Sequence, residues 1–129
     1  MPTQIVTAEG AAAPSGPFAP ATLATGARIL SVSGQIAQSK DGALVGADDA
    51  GEQARQCLRN IDALLRAAGA TKTDVVRVVV YLTDMADRAA VARAREEYFA
   101  GHRPAATLVQ VVALVAPEFK VEIEATAVF

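Results

Sequence analysis

The C-terminal stretch from Pro104 to Phe129 reads PAATLVQVVALVAPEFKVEIEATAVF, a composition that belongs in a β-sheet. Two apolar, β-branched runs, Thr107 to Val115 and Phe119 to Phe129, flank Pro117 and Glu118, the pattern of two strands joined by a short turn. Within the second run a period of two sends Val121, Ile123, Ala125 and Ala127 to one face and Glu122, Glu124 and Thr126 to the other. Two carboxylates therefore stand side by side on one strand. Such a pair is either a solvated sheet face or part of a site, and spacing alone leaves both readings open.

Upstream, Asp74 to Leu82 (DVVRVVVYL) is almost wholly apolar, as expected of an interior strand covered on both faces. The strongest helical pattern runs from about Asp49 to Ala68. Ala54, Cys57, Leu58, Ile61, Leu64, Leu65 and Ala68 form one apolar stripe, with Asp48 or Asp49 as cap and Gly69 as the left-handed stop. Arg55, Arg59, Asp62 and Arg66 take the solvated side. A second helix is predicted from Asp84 or Asp87 to Phe99, with Val91, Ala94 or Arg95, and Tyr98 inward and with Arg93, Arg95, Glu96 and Glu97 facing solvent. Gly101-His102-Arg103-Pro104 ends it, and His102 reads as a loop histidine before a catalytic base.

The N-terminal third holds candidate strands at Gln4 to Thr7, Leu23 to Thr25 and Arg28 to Ile36. Pro14, Gly16, Pro17 and Pro20 make Ala8 to Pro20 a loop in which Phe18 either pins the chain to the core or caps a pocket. Gly34 inside a strand pattern points to a bulge or to a close approach by another group. Ser33 beside it is either a hydroxyl satisfied by the backbone or a functional group. Lys40-Asp41-Gly42 is a tight-turn signal.

This order gives one domain of 129 residues, an α+β fold with a mixed sheet and two helices on one face. The second sheet face has no third layer in so short a chain, which predicts burial against another subunit. With a net charge of −2 and no basic stripe, the chain lacks the footprint of a dedicated nucleic-acid binder. No signal peptide and no membrane span are read, so a cytoplasmic location is the expectation. One His and one Cys supply no zinc set, no calcium-loop spacing occurs, and no metal or cofactor is expected. Cys57 reads as a small core residue.

Ser-Gly-Gln-Ile at 33 to 36, Gln-Ala-Arg-Gln-Cys-Leu-Arg-Asn-Ile at 53 to 61, the strand Val75 to Leu82 and Val-Glu-Ile-Glu-Ala at 121 to 125 resemble, in order and over nearly the whole chain, the Rid family of reactive-intermediate deaminases, also called YjgF, UK114 or L-PSP. The resemblance implies a chorismate-mutase-like fold and a homotrimer whose sheets form a central barrel, with a small-molecule cleft between neighbouring subunits. It also implies hydrolysis of enamines and imines to 2-oxo acids and ammonia. Carried over by position, Ser33 and Gly34 match the cleft strand, Glu122 the acid that positions or activates water, and Phe18 a tyrosine of the archetype. Thr107 and Leu108 continue the cleft, and Arg103 stands close to it.

The departure is at Pro104-Ala105-Ala106-Thr107, where archetypes place at position 106 the arginine that clasps the substrate carboxylate. Losing one partner of a buried charge pair costs on the order of 2–5 kcal/mol, roughly 30- to 4000-fold in binding. The expectation is a hydrolytic deaminase acting on an imine, enamine or related intermediate other than small 2-imino acids, unless Arg103 or Arg93 replaces the clasp. A non-catalytic, metabolite-binding trimer is the alternative, and an endoribonuclease is disfavoured by the acidic balance.

Overall fold

The helical stripe becomes α1, Ala50–Ala67, whose start is capped by Asp49 Oδ1 accepting from the Glu52 backbone N–H at 3.0 Å. At its end Gly69 adopts φ +85°, the left-handed stop that glycine allows without a Cβ clash. In the computed structural model, which describes residues 3–10, 13–14 and 18–129, Cys57, Leu58, Ile61 and Leu65 are buried along the stripe. Leu64, expected in it, is 43% exposed, because at 100° per residue it falls on the stripe's margin.

The strands are β1 (Thr3–Val6), β2 (Ala21–Ala24), β3 (Ile29–Gln35), β4 (Val75–Leu82), β5 (Ala105–Gln110) and β6 (Val121–Val128), with α2 at Arg88–Phe99. The main sheet has the order β3-β6-β4-β5, with β4 and β5 parallel and the other neighbours antiparallel. Both helices lie over one face of this mixed sheet and share its core, to which β6 contributes Val121, Ile123, Ala125 and Ala127. Glu122, Glu124 and Thr126 alternate to the other face and are half-buried. The short β1 pairs with β2 alone, and Thr22 Oγ1 ties β2 to β4 by donating to the Val76 carbonyl at 2.8 Å. Of the loop expected at Ala8 to Pro20, residues 11–12 and 15–17, including Gly16 and Pro17, lie outside the described residues. The Asp41-Gly42 signal makes a tight turn, with Gly42 at φ +82° and a bridge between Gln38 and Leu44.

The pairing expected of the C-terminal runs is corrected. The C-terminal runs are not a hairpin: β4 lies between β5 and β6, and residues 111–120 form a loop. Leu82, the last residue of β4, pairs with Gln110, so the apolar residues beyond have no strand to join on that edge. The loop is tied at both ends to the end of β4, Val111 N–H to Leu82 O at 2.7 Å and Thr83 N–H to Lys120 O at 3.1 Å. It leaves Val112 and Val115 103% and 77% exposed. Arg95, which the pattern placed either inward or in solvent, is buried on the inner side of α2 together with Val91, Ala94 and Phe99, where its aliphatic stem serves as packing.

Cys57 illustrates how the core couples to pH. Burial, with the Glu122 charge second, pushes its thiol up to about 12, whereas an unfolded thiol ionises near about 8.5. The folded state therefore keeps a proton that the unfolded chain gives up. The resulting stability is complete below the unfolded value and is lost as pH rises towards 12, at about 1.4 kcal/mol per pH unit. Urea denaturation between pH 9 and 11 should show this fall in the native protein and lack it in Cys57→Ala; parallel slopes in the two would refute it.

Candidate functional site

Along β3 and β6 the register steps from Val32 opposite Ala125 to Gln35 opposite Ile123, three residues on one strand against two on the other. The extra residue is a bulge at Ser33 and Gly34, both exposed. Into the space beside it goes the Glu122 side chain. A Cβ built on Gly34 would fall onto that carboxylate, 2.7 Å from Cδ and 3.0 Å from Cγ, distances real Cβ atoms do not tolerate. The absence of a Cβ at residue 34 is thus what lets the acid sit where it does, and a larger residue there would displace the Glu122 side chain.

The two glutamates of β6 have different surroundings. Tyr81, one strand over, donates its hydroxyl to Glu124 Oε1 at 2.5 Å. No hydrogen bond reaches the Glu122 carboxylate among the described residues, leaving it available to a ligand or a water. The Glu124 hydrogen bond is also the first cause of an upward shift in the Tyr81 phenol, followed by burial. The other tyrosine, Tyr98, is raised mainly by burial and then by its bond to Asp62 Oδ1 at 2.6 Å. In a spectrophotometric titration neither phenol should ionise at the ordinary value of about 10. Glu124→Ala should lower Tyr81 alone towards it, burial and Glu122 still holding it up in part, and an unchanged titration in that variant would count against the pairing.

Beside the bulge lies an open depression of about 440 Å³ lined by Gly34, Gln35, Ile36, Gln38, Ser39, Lys40 and Asn60. Its floor is held by α1: Asn60 Nδ2 donates to the carbonyls of Ile36 and Gln38 at 3.2 and 3.0 Å, and Gln56 Nε2 donates to Gln38 O at 3.3 Å. One turn earlier the fully buried Gln53 donates from Nε2 to Gly46 O and Glu118 O at 3.1 and 3.0 Å. Its Oε1 accepts from the Lys120 N–H at 2.8 Å, which fixes the approach to β6 just before Glu122. Sequence reading used the apolar stripe of α1 and passed over this polar one. The signal was there in the 53, 56, 60 spacing, one helical face of amides.

The remaining candidates sit elsewhere. Ala106 and Leu108 on β5 are half-buried and pack against the core, while Thr107 is exposed on the other face and Arg103 is exposed before the strand. Phe18, half-buried, runs beside them, since Ala19 bridges Ala105 and its N–H donates to Pro104 O at 3.1 Å. In the order β3-β6-β4-β5 this group occupies the edge opposite the Ser33–Gly34 bulge, about 14 Å away across three strand spacings. The residues expected at the site therefore fall into two separate groups on one chain, one with Ser33, Gly34 and Glu122 and one with Phe18, Arg103, Ala106, Thr107 and Leu108. Arg93 is exposed on α2 and joins neither. His102 Nε2 donates to Val75 O at 2.7 Å, a structural bond. No group of three or more His, Cys, Asp or Glu is placed to hold a metal ion among the described residues, and no described helix is long and apolar enough to cross a membrane.

Comparison with known proteins identifies relatives of this fold. The family model described as endoribonuclease L-PSP matches residues 9–129. A Rid-family protein of unknown function, YyfB from Yersinia pestis, is 36% identical, with a TM-score of 0.91 and full coverage of both chains. A member of the YjgF/UK114 family from Mycobacterium tuberculosis is 35% identical over 87% of this chain and 86% of its own, with a TM-score of 0.71. Escherichia coli TdcF, solved with bound serine, is 31% identical over 98% of each chain, with a TM-score of 0.73. The two-helix mixed sheet, the bulge that seats an acid and the match over almost the whole length lead to one assignment: this chain belongs to the endoribonuclease L-PSP family, the Rid or YjgF proteins.

Proposed function

We propose that the protein is a hydrolytic deaminase of imines or enamines, acting as a homotrimer in the cytoplasm, whose substrates are not the small 2-imino acids. The observation that carries this reading is the Glu122 carboxylate seated against the Gly34 bulge with no hydrogen-bond partner among the described residues. Glu122 takes a proton from water as the oxygen bonds to the imine carbon. The proton is delivered to nitrogen to give a carbinolamine, whose hydroxyl proton then passes to the amino nitrogen as the C–N bond breaks, and a carbonyl compound and ammonia leave. Ser33, exposed on the same bulge, orients the water or the substrate. The half-site at β5 faces this one only if a second copy supplies it, which is what supports a site shared between subunits. Ala106 leaves that half without a guanidinium at the family's clasp position, and with Phe18 beside it the site is less polar and suits a larger or uncharged substrate.

A second reading, a metabolite-binding trimer without catalysis, is favoured by the relative solved with bound serine. Ribonuclease activity has the family's descriptive name behind it, but a net charge of −2 opposes a polyanionic substrate. The deciding experiment is ammonia release from imines generated in situ by an amino-acid oxidase, comparing native protein, Glu122→Ala and Ala106→Arg. Activity on small 2-imino acids in Ala106→Arg but not in the native protein supports the proposal. Full native activity on those acids, or activity indifferent to Glu122, overturns it.

A further inference from the structure

Arg95 is 5% exposed, and its Nε finds no hydrogen-bond partner among the described residues. No ion pair to its guanidinium occurs among them either. Burial without an acceptor is unfavourable for Nε, and an acceptor from outside the chain placed against the guanidinium would offset that cost. The surroundings supply room for one. After α2 the chain turns through two successive left-handed residues, Ala100 at φ 49° and Gly101 at φ 97°. This turn brings His102 and Arg103 back against the last turn of the helix. Between them lies a pocket of about 120 Å³ lined by Arg95, Glu96, Phe99, Gly101, His102 and Arg103.

The size and lining define the ligand. The pocket has room for about four water-sized groups, enough for the carboxylate end of a two- or three-carbon acid and too little for a nucleotide or a sugar phosphate. A guanidinium offers donors in a planar fork that matches two carboxylate oxygens. Arg103, exposed at the rim, adds a second positive charge, and Glu96, also exposed, opposes it in part. The rings of Phe99 and His102, 6.1 Å apart, form an apolar wall for a short carbon chain. His102 Nε2 is already committed to Val75 O. We propose that this pocket binds a small carboxylate, gripped by Arg95 and screened at its mouth by Arg103. It opens beside the start of β5, at the far edge of the sheet from Glu122, and owes nothing to deaminase chemistry.

The test uses the full-length protein at constant ionic strength, with sodium acetate as the probe and inorganic phosphate and chloride as comparisons. Acetate should raise the melting temperature saturably and shift one arginine Nε–H resonance, the one missing from the spectrum of Arg95→Lys. Arg95→Met should weaken acetate binding at least tenfold; should that variant fail to fold, the native resonance decides alone. An acetate effect no larger than that of chloride, one that persists in Arg95→Met, or tighter binding of phosphate would overturn the assignment. Because neither readout involves turnover, failure here and failure of the deaminase reading are separate results.

Discussion

Replacing Glu122 with glutamine should lower kcat for imine hydrolysis by roughly 100- to 10,000-fold, the range contributed by a positioned general base. The amide keeps the shape of the side chain against Gly34 and removes its ability to take a proton. The fold should therefore persist, and KM should move far less than kcat. Gly34→Ala reaches the same end by a different route. Its methyl occupies the position of the carboxylate and displaces a base that is still present, and a misplacement of about 1 Å costs on the order of 100-fold. Steady-state ammonia release separates the two, because the alanine variant, which keeps its base, should retain more residual rate than the glutamine variant. A Glu122→Gln enzyme within threefold of the native kcat would remove Glu122 from the chemistry.

The second large effect is on stability. Gln53 is fully buried and its amide makes three hydrogen bonds, to Gly46 O, to Glu118 O and from the Lys120 N–H. Gln53→Ala leaves two carbonyls and one N–H without a partner in the interior, each at about 1–3 kcal/mol if water does not reach it. The expected loss is about 3–5 kcal/mol, at the upper end for a single substitution. Urea denaturation should show a lower midpoint at unchanged slope. Gln53→Glu is the informative companion, since it retains the acceptor for Lys120 and loses both donations. A loss below about 1 kcal/mol in the alanine variant would mean that solvent replaces the amide, and the clamp would then be a convenience of packing.

Much of this architecture is legible in the residues, for reasons that can be named. The α1 stripe, its Asp49 cap and its Gly69 stop are local features, and local features survive into the fold. The alternation of β6 follows from strand geometry, and Gly34 announces a close approach, although only the coordinates say that Glu122 makes it. What the chain does not spell out is pairing at long range. Residues 111–115 have a strand's composition and form a loop, because β4 ends before it can pair with them. Arg95 looks like one more helix-surface charge, and the chain alone does not reveal that Phe99 and the 100–103 turn enclose it. The division of the candidate site is invisible for the same reason, since the order β3-β6-β4-β5 is a property of the sheet and not of the sequence.

That division reaches beyond geometry. A chain carrying its acid on β6 and a substrate wall at the β5 edge holds no complete site at infinite dilution, so on the proposed reading the number of working sites follows mass action in the protein itself. Expression level then acts as a control on activity that needs no effector, and a change that loosens contact between copies is read out as lost turnover long before any chain unfolds.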